Sequence, residues 1–163
     1  MSDPPFTVRA MTVDDAQAVA GWRYPGEYAF YNWDADPGDL AELLDPAGWG
    51  RQFFAVDGRG GARVGFFEFK ADGESLEIGL GLRPDLTGGG LGLAFVEAGV
   101  QFAEEQFGTR SLTLAVAEFN QRAVTVYRRA GFEEVEHYEH ETNGGTYPFV
   151  KMARTSPPHS GRL

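Results

Sequence analysis

The sequence predicts one α/β domain: a central mixed, mostly antiparallel sheet of about seven strands flanked by about four helices. Three observations carry that reading. QFFAV (52–56), ARVGFFEFK (62–70) and SLEIGLGL (75–82) are strand-like runs separated by DGRGG and ADGE, the chemistry of tight hairpins. A glycine-rich loop, Thr87-Gly88-Gly89-Gly90-Leu91-Gly92, then opens the longest stretch of helical periodicity. Finally, a compact apolar strand, an Asn-capped helix and two strands joined at NGG follow one another to the end. At 163 residues the chain suits one domain and is cramped for two.

Taken in order, FTVRAM (6–11) reads as the first strand, and Thr12 with Asp15 three residues on marks a short helix reaching about Trp22. Residues 22–33, WRYPGEYAFYNW, follow no period. DPGDLAELLDP (36–46) is a second short helix with Pro37 in its first turn and Leu40, Leu43 and Leu44 on one face. The three hairpin-linked strands make an antiparallel meander. In the long helix, Leu91, Phe95, Ala98 and Phe102 recur at helical spacing up to about Phe107, and SLTLAVA (111–117) is the strand after it. Asn120 caps a helix carrying Ala123, Tyr127 and Ala130, which Gly131 closes. FEEVEHYEHE and TYPFVKMA are the last two strands. The domain is expected to occupy 1–154, with TSPPHSGRL (155–163) as a loose tail.

Composition narrows the function. Lys+Arg 14 against Asp+Glu 24 gives a net charge of -10, which argues against nucleic-acid binding, where basic residues supply most of the affinity, and suits a cationic or amine partner. With no cysteine, disulfides, thiolate metal sites and a cysteine nucleophile are excluded. No run of about 20 apolar residues and no leader-like start point to a membrane, so a cytoplasmic protein is expected. His137 and His140 sit three apart in a strand, facing opposite sides without a partner cluster; no metal is expected.

The glycine loop is the sharpest local feature. Successive glycines let backbone N–H groups converge on an anion, and the helix start adds unsatisfied donors, so the loop reads as a phosphate cradle or, more plainly, as a tight strand-to-helix turn. A P-loop needs GxxxxGK[ST], yet the only lysines are Lys70 and Lys151. A dinucleotide fingerprint fits poorly, with Leu93 where its third glycine belongs and RPDLT between strand and loop, although Glu118 near the end of the next strand stands as a ribose ligand would and keeps that reading open.

LEIGLGLRPDLTGGGLG (76–92) resembles the strand, [QR]xxGx[GA] loop and helix start of the GNAT (Gcn5-related) N-acetyltransferases. FNQRAVTVYRRAGF (119–132) is similar to that family's Asn-capped helix ending in Y-x-x-x-G-F. The likeness covers about residues 6–152. Thr87 stands where the family usually has Gln or Arg, which keeps the backbone cradle and leaves a side-chain contribution there open.

The resemblance implies a splayed sheet binding acetyl-CoA, without a metal. Gly79, Leu80, Gly81 and Leu82 would meet the pantetheine arm. The loop Thr87, Gly88, Gly89, Gly90, Leu91 and Gly92 would hold the pyrophosphate. Asn120 would lie beside the arm as well as capping its helix, and Arg122, Arg128 and Arg129 are candidates for the phosphates. Tyr127 would protonate the departing thiolate, with core packing as its plainer role.

A general base must take the proton of an acceptor ammonium. Glu77 leads, pointing away from the apolar row Leu76, Ile78, Leu80 and Leu82, with Glu68 one strand earlier second. Trp22, Tyr24, Tyr28, Tyr31 and Trp33, with Phe30, suggest an aromatic wall over the acceptor pocket or a satellite core under a loop. The expected activity is acetyl transfer from acetyl-CoA to a primary amine of a small molecule or peptide. A non-catalytic acyl-CoA sensor or an interaction module on the same fold is the alternative, and a homodimer is a possible assembly.

Overall fold

The structure, a computed structural model, describes residues 5–49, 52–108 and 111–155. Strands and helices alternate along the chain as β1 (Phe6–Ala10), α1 (Val13–Ala20), α2 (Pro37–Leu43), β2 (Phe53–Gly58), β3 (Arg63–Asp72) and β4 (Ser75–Leu82). There follow α3 (Gly92–Phe107), β5 (Ser111–Ala117), α4 (Gln121–Arg129), β6 (Glu133–Thr142) and β7 (Gly145–Thr155). The aperiodic segment after α1 winds into short 3-10 turns, Gly26–Tyr31 and Trp33–Ala35. Thr155, assigned to the tail, closes β7 instead, and 156–163 lie outside the described residues.

The sheet order is β1-β2-β3-β4-β5-β7-β6. Every neighbouring pair is antiparallel except β4 and β5, which the α3 crossover forces to be parallel. That parallel pair meets at only two positions, Leu76 with Leu112 and Glu77 with Thr113, whereas β3 follows β4 out to Leu82. Beyond Ile78 the sheet therefore divides into two walls.

Strand alternation sends Phe67 and Phe69 of β3 to one face and Phe66 and Glu68 to the other. On the first face α3 and α4 bury Phe95, Val96, Val100, Val124 and Phe132 against Phe67, Ile78, Leu112, Leu114 and Met152. Gly99 lets α3 approach this closely, since a Cβ there would lie 2.6 Å from Phe67. The helix turns Phe95, Val96, Gly99, Val100 and Ala103 inward. Leu91, placed in the inward row by spacing, is exposed because it precedes the first helical turn. A smaller core on the opposite face gathers Met11, Val19, Leu43, Trp49, Phe53 and Phe66 under α1 and α2. On α2 only Leu43 of the three leucines is buried.

The smaller layer is anchored by one charge. Asp15 is 1% exposed. It accepts from Thr12 to close a reciprocal cap on α1, from Arg9 at 2.7 and 2.9 Å, and from Arg63 at 2.7 Å. Arg9 also holds Asp57, so β1, β2, β3 and α1 meet at this node. Burial alone pushes the Asp15 carboxyl up, but donors from Arg9, Thr12 and Arg63 more than reverse it and hold it far below the usual carboxylate range. Among the described residues no helix is long and apolar enough to cross a membrane.

Candidate active site

The divided sheet opens a cavity of about 780 Å³. Gly79, Leu80, Gly81 and Leu82 line one wall, and Leu114, Ala115 and Val116 line the other. Because β5 has left β4 here, the backbone groups of this stretch that face the cleft have no strand partner. Gly81 is obligatory for a different reason: a Cβ would lie 2.5 Å from Phe66.

At one end of the cleft sits the glycine loop. A 3-10 turn, Pro84–Leu86, and the Thr87 hydroxyl donating to the Pro84 carbonyl at 2.8 Å set its shape. Thr87 thus braces the loop with its short side chain. Gly88 and Gly90 have φ of 75° and 86°, a region that disfavours side chains; Thr87 and Gly88 form a hydrogen-bonded turn, and the amides of Gly88, Gly90, Leu91 and Gly92 donate to no oxygen among the described residues. Leu91 offers no side-chain cap to α3, so the helix start adds its own open donors beside the loop. Thr87, Gly88, Gly90 and Gly92 line the cavity; Gly89 and Leu91 do not. The set fits a pyrophosphate.

From α4, Asn120, Arg122, Tyr127 and Arg129 reach the cavity. Asn120 accepts from the Ala123 amide, which caps the helix, and donates to the Tyr31 hydroxyl at 3.3 Å. Arg128 is a correction: it faces away and pairs with Glu134 on β6. The helical period explains this, since 122, 126 and 129 share a face and 128 falls off it. Tyr127 makes no hydrogen bond from its hydroxyl to a described residue, and burial, with Tyr31 beside it, raises its phenol well above the ordinary value.

Tyr24, Tyr28, Tyr31 and Trp33 line the cavity from the two 3-10 turns and the stretch before them. The Tyr24 hydroxyl donates to the Leu82 carbonyl at 2.7 Å, and burial pushes that phenol up to about 12. Phe119, not anticipated, lies between Tyr28, Phe30 and Tyr31 with ring centroids 5.6–6.0 Å apart. Trp22 is a second correction. It packs on the smaller core, because α1 ends before it and turns it inward. The aromatic run therefore divides between wall and core.

The far end of the cavity is acidic: Asp36, Asp39, Glu42, Glu68 and Glu77 line it, with Lys70 among them. Glu68 stands directly opposite Gly79, where a Cβ would lie 3.3 Å from its carboxylate oxygen, so the glycine leaves room for the acid. Its carboxyl is raised by burial, against the pull of Lys70 at 3.3 Å and Gln52 at 2.8 Å. Asp39 is raised by burial and by the charges of Asp36 and Glu42. Tyr138, His140, Thr142 and Asn143 complete this end from the β6–β7 hairpin. These residues come from elements far apart in sequence. Only the period-2 pattern of β6 could have pointed to Tyr138, His140 and Thr142 as one row. His137 faces elsewhere, between Glu118 and Glu134, and no metal-holding group occurs among the described residues.

The profile of the family described as Acetyltransferase (GNAT) domain matches residues 6–133. The chain belongs to the GNAT acetyltransferases. Among its relatives, mycothiol acetyltransferases from Streptomyces coelicolor and Streptomyces avermitilis are each 36% identical, over 119 and 137 residues. The matches cover 71% and 77% of this chain but only 36% and 42% of those proteins, so this GNAT domain spans less than half of their length. The fold likewise superposes on solved GNAT structures. One is a spermidine N-acetyltransferase from Vibrio cholerae in complex with CoA and spermine, with TM-score 0.75 and 19% identity, covering 94% of this chain and 96% of that one. Another is a putative phosphinothricin N-acetyltransferase, with TM-score 0.72 and 19% identity, covering 94% and 99%.

Proposed function

We propose that this GNAT domain moves an acetyl group from acetyl-CoA to the primary amine of a cationic small molecule or peptide. One observation carries the proposal: a single cleft joins unpaired loop amides at one end to a carboxylate-rich pocket at the other, with Tyr127 between its walls. Acetyl-CoA would supply the activated acetyl group as a thioester. The amides of Gly88–Gly92 with Arg122 would hold its pyrophosphate, and the backbone of Gly79–Leu82 that has no strand partner its arm. Gly79, by admitting the Glu68 carboxyl, favours Glu68 over Glu77 as the group that takes the ammonium proton. A raised carboxyl is the better base at neutral pH, because its affinity for the proton comes closer to the task. Tyr127, raised, keeps its proton at neutral pH and acts as a hydrogen-bond donor.

The coenzyme part is tested by calorimetry. Gly90 has open space around it but a left-handed φ, so Gly90→Glu adds strain and a negative charge at the cradle. CoA affinity should fall roughly ten- to a hundredfold, about 1.4–2.8 kcal/mol; unchanged affinity in the folded variant refutes the cradle. The reaction is tested by screening amines with thiol release as readout. CoA binding without turnover on any amine would make the protein a sensor.

The base is tested by its pH profile. A base works deprotonated, so kcat/KM should rise with pH through an acid limb set by Glu68, above the ordinary carboxylate range because that group is raised. Glu68→Gln should remove the limb and Glu77→Gln should keep it. The reverse result assigns the role to Glu77.

A further inference from the structure

We propose that Arg122 couples the two substrate sites, holding Tyr28 of the acceptor wall with its planar face while its in-plane N–H groups take the coenzyme pyrophosphate. The inference rests on the reading of Gly88–Gly92 as the phosphate cradle and goes beyond it. Arg122 Cζ lies over the Tyr28 ring, 4.4 Å from its centroid. Its Nη1 is 3.4 Å from where a Cβ on Gly88 would stand, so one guanidinium lies beside the loop as well as over the wall. In a chain with 24 Asp and Glu, Arg122 forms no ion pair with a described carboxylate. Its charge is left for an anion.

The two contacts are compatible. A guanidinium stacks through its face and donates hydrogen bonds in its plane, so binding a phosphate does not require leaving the ring. Tyr28 belongs to the 3-10 turn Gly26–Tyr31, which has no side-chain cap and no fully buried residue. Its other end is held through Tyr31 by Asn120 and through Phe30 by Asn143 and the rings of Phe119, Tyr147 and Phe149, whereas Tyr28 itself meets the Phe119 ring and Arg122. An anion that fixes Arg122 therefore fixes Tyr28, and the acceptor meets a wall already in place. Coupling free energies are reciprocal, so Tyr28 must in turn strengthen coenzyme binding although it is not expected to touch the coenzyme.

The test measures CoA affinity by calorimetry in wild type, Arg122→Gln, Tyr28→Leu, Tyr28→Phe and the Arg122→Gln/Tyr28→Leu double variant. Tyr28→Leu should weaken CoA roughly fivefold or more, Tyr28→Phe should restore it by keeping the aromatic face, and Tyr28→Leu should add nothing once Arg122→Gln is present. CoA binding to Tyr28→Leu as to wild type, or an undiminished effect of Tyr28→Leu in the Arg122→Gln background, overturns the coupling. Failure of wild type to bind CoA overturns instead the cradle reading beneath it. On the acceptor side, the amine selected by the thiol-release screen should show a lower KM with acetyl-CoA than with acetyl-pantetheine, which lacks the pyrophosphate. Arg122→Gln should erase that difference; its persistence would also overturn the coupling.

Discussion

Tyr127→Phe should lower kcat roughly 10²- to 10³-fold while CoA binding and stability stay near wild type, the usual loss for one donor aimed at developing charge. The ring packs edge-on against Phe132 with centroids 6.2 Å apart, and phenylalanine keeps that contact. What disappears is the hydroxyl. Because burial raises the phenol, full transfer to a thiolate, whose conjugate acid has an ordinary pKa near 8.5, is uphill; the contribution is a hydrogen bond to the leaving sulfur. That bond matters less when the thiol leaves easily, so a thioester of a more acidic thiol should recover much of the loss. A packing defect would slow both thioesters alike. Equal losses, or none, would remove Tyr127 from the chemistry.

Asp15→Ala should destabilise the fold by about 2–4 kcal/mol, read as a lowered denaturant midpoint, because it takes the shared buried carboxylate from Arg9 and Arg63, which keep only Asp57 and Asp14, and removes the Asp15 half of the α1 capping box. Asp15→Asn, which keeps the shape, should still be destabilised through the lost charge. The pH dependence has a definite sign. The folded carboxyl lies below its unfolded value, so the unfolded chain binds the extra proton. Stability from this group is complete above the ordinary carboxylate pKa of about 4 and is lost as pH falls below it toward the folded value. Asp15→Ala should flatten that acid decline; an unchanged decline would assign it to other carboxylates.

Much of this was legible because local rules agreed with the fold. The meander follows from its turn glycines, and α4 follows from Asn120 and Gly131 at its two ends, where φ at Gly131 is 97°. The glycine loop stands where the spacing put it. Roles that depended on direction were harder to see. Arg128 and Arg129 differ by one residue, yet only Arg129 shares a helical face with Arg122, a distinction the 3.6-residue period could have supplied. Trp22 and Tyr24 look alike in an aperiodic segment and part ways only because α1 stops at Ala20. Asp39, Glu42 and His140 carried no signal of a common site, since α2 and β6 meet only in the folded chain. The proposed preference for Glu68 over Glu77 rests on a contact across strands, Glu68 over Gly79, that no single-strand pattern encodes.

The two-position junction of β4 with β5 also gives the domain an edge strand in the middle of its sheet. An outer edge offers its unpaired N–H and C=O groups to any passing chain, and proteins commonly blunt such edges to avoid aggregation. Here the open rungs of Gly79–Leu82 face an interior slot whose second wall is Leu114–Val116. An extended chain bearing amides has the donors and acceptors that would complete such rungs as a short extra strand. Incomplete pairing at this seam thus keeps the open groups inside the fold, away from the outer edge where a neighbouring chain would meet them.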